Sequence, residues 1–126
     1  MGMTAAAENW VQLYVRAWTS NAPDDIRATF TDDAVYKARP DDPEPLIGIE
    51  QIVADWQGNV DPPGTWSFEH EVIGVDGDLI FVQGTTQYPG DEHPIYFNLW
   101  VVRLAPDGRA SAFTEWFMEP RTAPSA

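Results

Sequence analysis

The sequence predicts an α+β domain in which three N-terminal helices pack on one face of a curved, mostly antiparallel sheet. Apolar residues recur at helical spacing through the first half of the chain. From Trp66 onwards, four strand-length runs are rich in β-branched and aromatic residues. Separation of helices from strands along a chain is typical of α+β folds, in which the helices cover one side of the sheet.

The chain length indicates a single domain. The 126 residues contain 44% hydrophobic residues, which suits one compact core that buries roughly two thirds of the unfolded surface. No internal repeat or long linker interrupts the sequence. We therefore expect one domain over residues 1–126, with frayed ends at about 1–4 and 121–126.

Three helices are predicted in the first half. The first is indicated by Trp10, Tyr14 and Trp18, which recur at four-residue spacing. The second begins near Pro23, a residue favoured at the first helical position, and two aspartates follow where the helix dipole favours negative charge. The third covers residues 49–56, whose apolar positions fall on one face of a helix.

Five strands are predicted. A short one, "AVYKA", precedes the proline-rich loop "RPDDPEPLIG", and the four longer runs are "WSFEHEVIGV", "LIFVQGTTQY", "IYFNLWVVRL" and "RASAFTEWFM". Asp-Gly pairs at 76–77 and 107–108 are hairpin signals, and "PGDEHP" forms a wider loop. The last four strands should therefore form an antiparallel meander.

Composition excludes several classes of function. The formal net charge of −13 repels nucleic-acid backbones and anionic lipid surfaces, so neither partner is expected. The absence of cysteine removes disulfides and thiolate metal sites, and no apolar run is long enough to cross a membrane. Serine-hydrolase, zinc-protease and nucleotide-binding motifs are missing. We expect a cytoplasmic protein without cofactor or metal.

Glu115 is the residue that most needs an explanation. It lies in the last run, "AFTEWFMEP", among large apolar side chains. In a strand, Phe113, Glu115 and Phe117 share one face, while the other holds Trp116 and Met118. Three interpretations are open: a place at the rim of the sheet, an ion pair with Arg103 or Arg109, or a cavity that uses the charge.

The order of these motifs resembles the NTF2-like superfamily, which includes ketosteroid isomerases, limonene epoxide hydrolases and SnoaL-like polyketide cyclases. The resemblance lies in "VQLYVRAWTSNAPDDIRATFTDDAVY", the proline loop, "GIEQIVADW" and the closing meander, and it spans nearly the whole chain. It implies an NTF2-like (cystatin-like) cone with a pocket for an apolar small molecule, and a homodimer formed through the outer face of the sheet.

Of the functional residues of the ketosteroid isomerases, this sequence keeps one. Tyr14 matches their first-helix tyrosine, which donates a hydrogen bond to the developing oxyanion. Their general-base aspartate falls at Ala38 or Arg39, and their protonated aspartate falls near Trp100. Because that chemistry needs a base and an acid with separated pKa values, ketosteroid isomerisation is not expected.

The epoxide hydrolases also match in part. Tyr36 corresponds to their tyrosine, and Glu115 to the last-strand aspartate that takes a proton. Their asparagine becomes Ala38, and their strand arginine and aspartate are replaced by Gly84 and Thr86. A base without its acid is half of that mechanism, so epoxide opening would need another donor, such as Tyr14 or His70.

A SnoaL-like cyclase makes the lightest demand, because one acid or base in an apolar cavity can assist an intramolecular aldol closure. The candidate catalytic residues are thus Glu115, Tyr14, Tyr36 and His70. The candidate substrate-binding residues are Trp18, Trp56, Asn98, Trp100, Phe113 and Phe117. Each has a structural alternative: the tyrosines and His70 could belong to the core, and Asn98 could bridge strands. A protein with the same pocket but no chemistry, or a dimerisation module, is the alternative function.

Overall fold

The protein has the predicted α+β fold, and its described residues form three helices and one six-stranded sheet. The structure is a computed structural model that describes residues 3–92 and 94–121. Along the chain the elements are α1 Met3–Ser20, α2 Pro23–Thr29, β1 Phe30–Lys37, β2 Leu46–Ile47, α3 Ile49–Gly58, β3 Ser67–Asp76, β4 Leu79–Gln87, β5 Ile95–Leu104 and β6 Ala110–Met118.

The helices begin close to their predicted positions. Helix α2 starts at Pro23 with two aspartates in its first turn, and Phe30 already belongs to β1. Of the residues 1–4 predicted to fray, residues 1 and 2 lie outside the described residues, and residues 3 and 4 belong to α1. The predicted tail at 121–126 lies, after residue 121, outside the described residues.

The sheet has the strand order β2-β1-β6-β5-β4-β3. Strands β3 to β6 form the predicted antiparallel meander, whereas β1 pairs with β6 in parallel and with β2 in antiparallel orientation. Neither β1 pairing was predicted. The two-residue β2 lies inside a proline-rich loop and has no alternating pattern, and the β1–β6 pairing joins the two halves of the chain.

The hydrophobic core lies between α1 and the face of the sheet that we call the inner face. Trp10 is at its centre, fully buried, and its indole nitrogen donates to the backbone oxygen of Thr29 at 3.0 Å. The rings of Phe30, Trp100 and Phe113 lie with their centroids 6.0–6.2 Å from that of Trp10. This aromatic packing fixes α1 over the centre of the sheet and leaves its last turns beside an open space.

The opposite, outer face of the sheet exposes large apolar side chains. Phe97 is 46% exposed, Trp116 is 49% exposed and Met118 is 67% exposed. Phe97 is paired with Met118, and Trp116 is paired with Leu99, in the β5–β6 ladder. The apolar surface is therefore continuous across two strands. None of the described helices is long and apolar enough to span a membrane.

Candidate functional site

A cavity of about 550 Å³ opens between the inner face of β4–β6, the end of α1, and α3. The loops that follow α3 and β4 complete its wall. Its lining residues are Tyr14, Trp18, Asn21, Tyr36, Leu46, Ile52, Asp55, Trp56, Asn59, Asp61, Thr86, Tyr88, Asp91, Tyr96, Asn98, Trp100, Glu115 and Phe117. The volume is in the range of small-molecule sites.

Glu115 projects into this cavity from β6. Two neutral donors on the adjacent strand β5 hold its carboxyl group. The indole nitrogen of Trp100 donates to Oε1 at 3.0 Å, and the side-chain amide of Asn98 donates to Oε2 at 3.3 Å. Because Trp100 pairs with Glu115 in the β5–β6 register, the strand ladder itself sets this geometry.

Burial raises the pKa of Glu115 to about 7, and the hydrogen bonds from Trp100 and Asn98 oppose this rise only in part. Loss of hydration disfavours the charged form of a carboxyl group, whereas donors to that form favour it. The group therefore changes charge near neutral pH. A carboxyl with such a pKa can serve as a proton acceptor or, when protonated, as a donor.

The alternative of an ion pair for Glu115 is wrong. Arg103 instead pairs with Asp78 at 2.6 Å, and Arg109 pairs with Asp107 at 2.8 Å. Strand alternation explains this result, because Arg103 lies opposite Ala112 and points to the other face of the sheet. Glu115 thus forms no ion pair within the described part of the chain.

A second polar residue supports the carboxyl group from behind. The hydroxyl of Thr86 on β4 donates to Oδ1 of Asn98 at 2.7 Å. Both residues are buried, and the amide nitrogen of Asn98 is thereby directed at Glu115. The order of hydrogen bonds across three strands is Thr86 to Asn98 to Glu115. A series of hydrogen-bonded side chains of this kind holds a functional group in one orientation.

Two tyrosine hydroxyls form a second polar group in the cavity. The hydroxyl oxygens of Tyr14 on α1 and Tyr36 on β1 lie 3.1 Å apart. Burial raises the pKa of both phenols, and the nearby Glu115 adds to the effect. Both therefore stay protonated at neutral pH and can donate hydrogen bonds. They are suited to stabilise negative charge that develops on a ligand oxygen.

The mouth of the cavity is organised around Asp61, in the loop after α3. Its Oδ2 accepts from the indole of Trp18 at 3.0 Å and from the hydroxyl of Tyr88 at 3.2 Å. Asn21, which has a positive φ of 54°, accepts at Oδ1 from the indole of Trp56 at 3.0 Å. These contacts tie α1, α3 and two loops into one rim.

Sequence reasoning missed Asp61, Tyr88 and Asn21, which lie in turns or at strand ends. A signal was present in their neighbours: Trp18 and Trp56 both carry an indole donor that needs an acceptor when buried. Asp91, in the predicted loop "PGDEHP", was not predicted as a site residue either, yet it lines the cavity. Of that loop, His93 lies outside the described residues.

Most of the predicted substrate-binding residues line the cavity, namely Trp18, Trp56, Asn98, Trp100 and Phe117. Phe113 does not. It is fully buried, and the rings of Tyr36 and Tyr14 cover it with centroids at 4.5 and 5.5 Å. Its assignment to ligand contact is corrected to a place in the core.

His70 is neither in the cavity lining nor in the core. It lies on the edge strand β3, is exposed, and stacks on Phe68 with centroids 5.4 Å apart. Phe68 sits over Gly84 and also stacks on Trp100, a residue of the cavity lining, with centroids 4.7 Å apart. Because His70 is exposed and is absent from the cavity lining, neither of its predicted places, in the pocket or in the core, is found.

Three polar features of the cavity can take part in chemistry: a carboxyl that titrates near neutral pH, a pair of neutral phenols, and carboxylates at the mouth. Within residues 3–92 and 94–121, no group of three or more His, Asp or Glu side chains is placed to hold a metal ion. The geometry provides for proton transfer and for hydrogen bonding to an oxygen atom.

Comparison with models of known protein families gives a match that covers most of the chain. A family model of the SnoaL-like domain matches residues 11–119. A comparison with curated proteins found no match. The match to the SnoaL-like domain includes all the cavity residues described above.

Solved structures with the same fold are numerous. An NTF-2 like protein of unknown function from Burkholderia xenovorans is 20% identical, with a TM-score of 0.74 over 98% of this chain and 91% of that chain. An LEH-like epoxide hydrolase of M. tuberculosis is 18% identical, with a TM-score of 0.66 over 90% of this chain and 84% of that chain. A ketosteroid isomerase-like protein from Erwinia carotovora atroseptica is 21% identical, with a TM-score of 0.60 over 92% of this chain and 96% of that chain.

Proposed function

Because the chain belongs to the SnoaL-like domain family, we propose that it is a cofactor-independent enzyme that moves a proton on a small carbonyl-bearing molecule held in the cavity. The reaction class is isomerisation or intramolecular aldol cyclisation. Both need one base that can return its proton and one donor for the oxygen that gains negative charge.

The observation that carries the proposal is the placement of Glu115. This carboxyl group is half-buried in the cavity, its hydrogen-bond partners among the described residues are the neutral donors Trp100 and Asn98, and burial raises its pKa to about 7. A structural ion pair would have lowered that pKa instead. Titration near neutral pH at a site with no structural counter-ion is typical of catalytic acids and bases.

The proposed reaction uses the carboxylate and the phenols in separate roles. The Glu115 carboxylate removes a proton from the carbon next to the substrate carbonyl, and the electron pair moves to the carbonyl oxygen. A hydroxyl of the Tyr14–Tyr36 pair donates a hydrogen bond to that oxygen. In an isomerisation, the substrate carries a C=C bond next to the deprotonated carbon; the protonated Glu115 gives the proton to the far carbon of that bond, the C=C bond shifts by one position, and the C=O bond re-forms. In a cyclisation, the enolate carbon forms a bond to a second carbonyl of the same molecule, whose oxygen receives the proton.

Epoxide opening is less well supported. One similar fold belongs to an LEH-like epoxide hydrolase, but no arginine or lysine is among the described residues that line this cavity. Thr86 and Gly84 lie where the resemblance expects an aspartate and an arginine, and Thr86 is engaged with Asn98. The tyrosine pair would have to protonate the epoxide alone.

The proposal can be tested without knowing the substrate. Removal of a proton next to a carbonyl exchanges that hydrogen for deuterium when the reaction runs in D2O. We would incubate the protein with a panel of cyclic and linear ketones and diketones, and follow the α-hydrogen signals by NMR. Exchange catalysed by the wild type should rise with pH through about 7, where Glu115 becomes a carboxylate.

Three variants give the experiment its controls. Glu115→Gln removes the base and should reduce exchange to the buffer rate. Tyr14→Phe removes one donor and should slow exchange by about 10- to 100-fold. Glu71→Gln changes the same charge at an exposed position of β3 and should leave the rate unchanged. Ketones that bind in the cavity without any exchange would favour the alternative, a small-molecule-binding protein.

The outer face of the sheet supports a second proposal, a homodimer. Trp116 and Met118 on β6 and Phe97 on β5 form the exposed apolar surface described above. Packing two such faces together would remove this surface from water. Sedimentation of the wild type at micromolar concentration should give a dimer, and Trp116→Glu should shift it to the monomer. A monomeric wild type would contradict this proposal.

A further inference from the structure

The cavity lining has a strongly one-sided charge. It includes four carboxyl groups, those of Asp55, Asp61, Asp91 and Glu115, and no basic side chain among the described lining residues. None of the four forms an ion pair in the part of the chain that the structure describes. Even with Glu115 protonated, the mouth retains three negative charges. A ligand that enters therefore meets a negative potential.

The three aspartates differ in burial. Asp55 and Asp91 are exposed, whereas Asp61 is half-buried. Both donors to Asp61, the Trp18 indole and the Tyr88 hydroxyl, bind the same oxygen, Oδ2. Its other oxygen, Oδ1, accepts no hydrogen bond within the described residues. The carboxylate is thus held in place with one oxygen available to a ligand.

Aromatic rings surround this mouth. Trp18 and Tyr88 reach Asp61 directly, and Trp56 and Tyr96 also line the cavity. One face of Trp18 is covered by Trp66, whose ring stacks on it with centroids 3.8 Å apart. Aromatic rings and carboxylates both attract a cation, and the combination is the usual environment for a protonated or quaternary amine.

A second, independent observation comes from the inner end of the cavity. Tyr14 is 7% exposed, and its hydroxyl shares a hydrogen bond with that of Tyr36 and with no other group of the described residues. In such a pair one hydroxyl donates to the other, so one hydroxyl hydrogen has no acceptor among the described residues. Because both tyrosines line the cavity, this hydrogen is available to a ligand atom with a lone pair at this end.

We infer that the cavity takes an amine-bearing substrate, with a protonated amino group at the acidic aromatic mouth and a neutral oxygen acceptor at the Tyr14–Tyr36 pair. This inference rests on the proposed function and specifies its substrate class. The positive end is fixed at Asp61, and the acceptor end is placed beside Glu115. Anionic molecules of the same size are rejected, because they would meet carboxylates without a compensating cation.

Charge preference is measurable with three molecules that share one body: tryptamine, which is a cation at neutral pH, tryptophol, which is neutral, and indole-3-propionate, which is an anion. Binding to the full chain would be followed by ligand-observed NMR and titration calorimetry in buffer with EDTA. Tryptamine should bind at least about tenfold more tightly than tryptophol at low ionic strength, and the anion more weakly than either. Added salt should reduce the preference.

Asp61→Asn isolates the contribution of the mouth. The asparagine oxygen can still accept from Trp18 and Tyr88, so the rim should stay intact while the charge is lost. Its tryptamine affinity should fall about fivefold or more, with tryptophol affinity unchanged. Glu71→Gln, which removes one negative charge away from the cavity, should leave both affinities unchanged.

The outcomes separate this inference from the proposed function. If tryptophol binds as well as tryptamine, or if Asp61→Asn and Glu71→Gln have the same effect on binding, the amine specificity is wrong. The deuterium-exchange assay then still decides separately whether the cavity is catalytic. If none of the three molecules binds at millimolar concentration, the amine specificity is also wrong. Failure of ketone exchange, with the amine preference intact, would instead remove the chemistry and leave an amine-binding protein.

Discussion

Replacing Glu115 with glutamine should stabilise the protein in alkaline solution and leave its stability nearly unchanged in acid. The ordinary pKa of a glutamate is 4.5, and burial raises that of Glu115 to about 7. Between these values the folded protein binds a proton that the unfolded chain has lost, so wild-type stability falls as pH rises from about 4.5 to about 7. Above about pH 7 the loss of folding stability caused by the ionised Glu115 is constant.

The size of the effect follows from the same two values. At about 1.4 kcal/mol for each pH unit, the difference between 4.5 and about 7 corresponds to about 3 kcal/mol. Glutamine keeps most of the contacts. Its oxygen can accept from Trp100, and its amide can donate to Asn98 once the Asn98 side chain turns over, since the Thr86 hydroxyl can then accept. The variant should gain about 3 kcal/mol over the wild type near pH 8.

Urea unfolding of both proteins, followed by tryptophan fluorescence from about pH 4 to about pH 8, measures this quantity. The comparison matters because the chain has 20 acidic residues including Glu115, and the titration of all the others cancels in the difference between the two proteins. Glu71→Gln should show no pH-dependent difference. A constant difference for Glu115→Gln, or a wild type that becomes relatively more stable above pH 5, would show that the carboxyl has an ordinary or lowered pKa. The proposed base would then be lost.

Two further substitutions test the structure around the site. Asn98→Ala removes a hydrogen bond to the charged form of Glu115, so NMR titration should show the pKa of that carboxyl above its wild-type value. The same change leaves Thr86 without its acceptor and should cost about 1–3 kcal/mol in thermal or urea unfolding; an unchanged pKa would contradict the assigned contact. Gly84→Ala would bring a new Cβ within 2.4 Å of the Phe68 ring, and we expect a loss of about 1–3 kcal/mol. A fully stable Gly84→Ala protein would show that Phe68 can move aside.

The fold could be predicted because its signals are local. Helical spacing of Trp10, Tyr14 and Trp18, the proline at the start of α2, and the Asp-Gly hairpins each act over a few residues. The missing parts are non-local. The parallel pairing of β1 with β6 joins residues about 80 positions apart, for instance Phe30 with Ala110, and no short pattern encodes it.

The site was predictable to the same extent. Period-two alternation placed Glu115 and Phe117 together on one face of the last strand, and the structure has both in the cavity lining. The same rule did not predict that Phe113 and His70 stay out of the cavity lining. Alternation assigns a face, but it does not tell which residues of that face other rings cover. Tyr14 and Tyr36 cover Phe113, and His70 stacks on Phe68 without lining the cavity.

The neutral donors around Glu115 explain how this chain can hold a carboxyl firmly and still leave its charge free to change. An arginine in place of Asn98 or Trp100 would fix the carboxyl equally well, but it would stabilise the anion and move the pKa well below neutrality. An entirely apolar wall would raise the pKa without fixing the orientation. Trp100 and Asn98 provide two bonds of 3.0 and 3.3 Å from uncharged groups. The carboxyl is oriented in both protonation states, which a group that must accept and then return a proton requires.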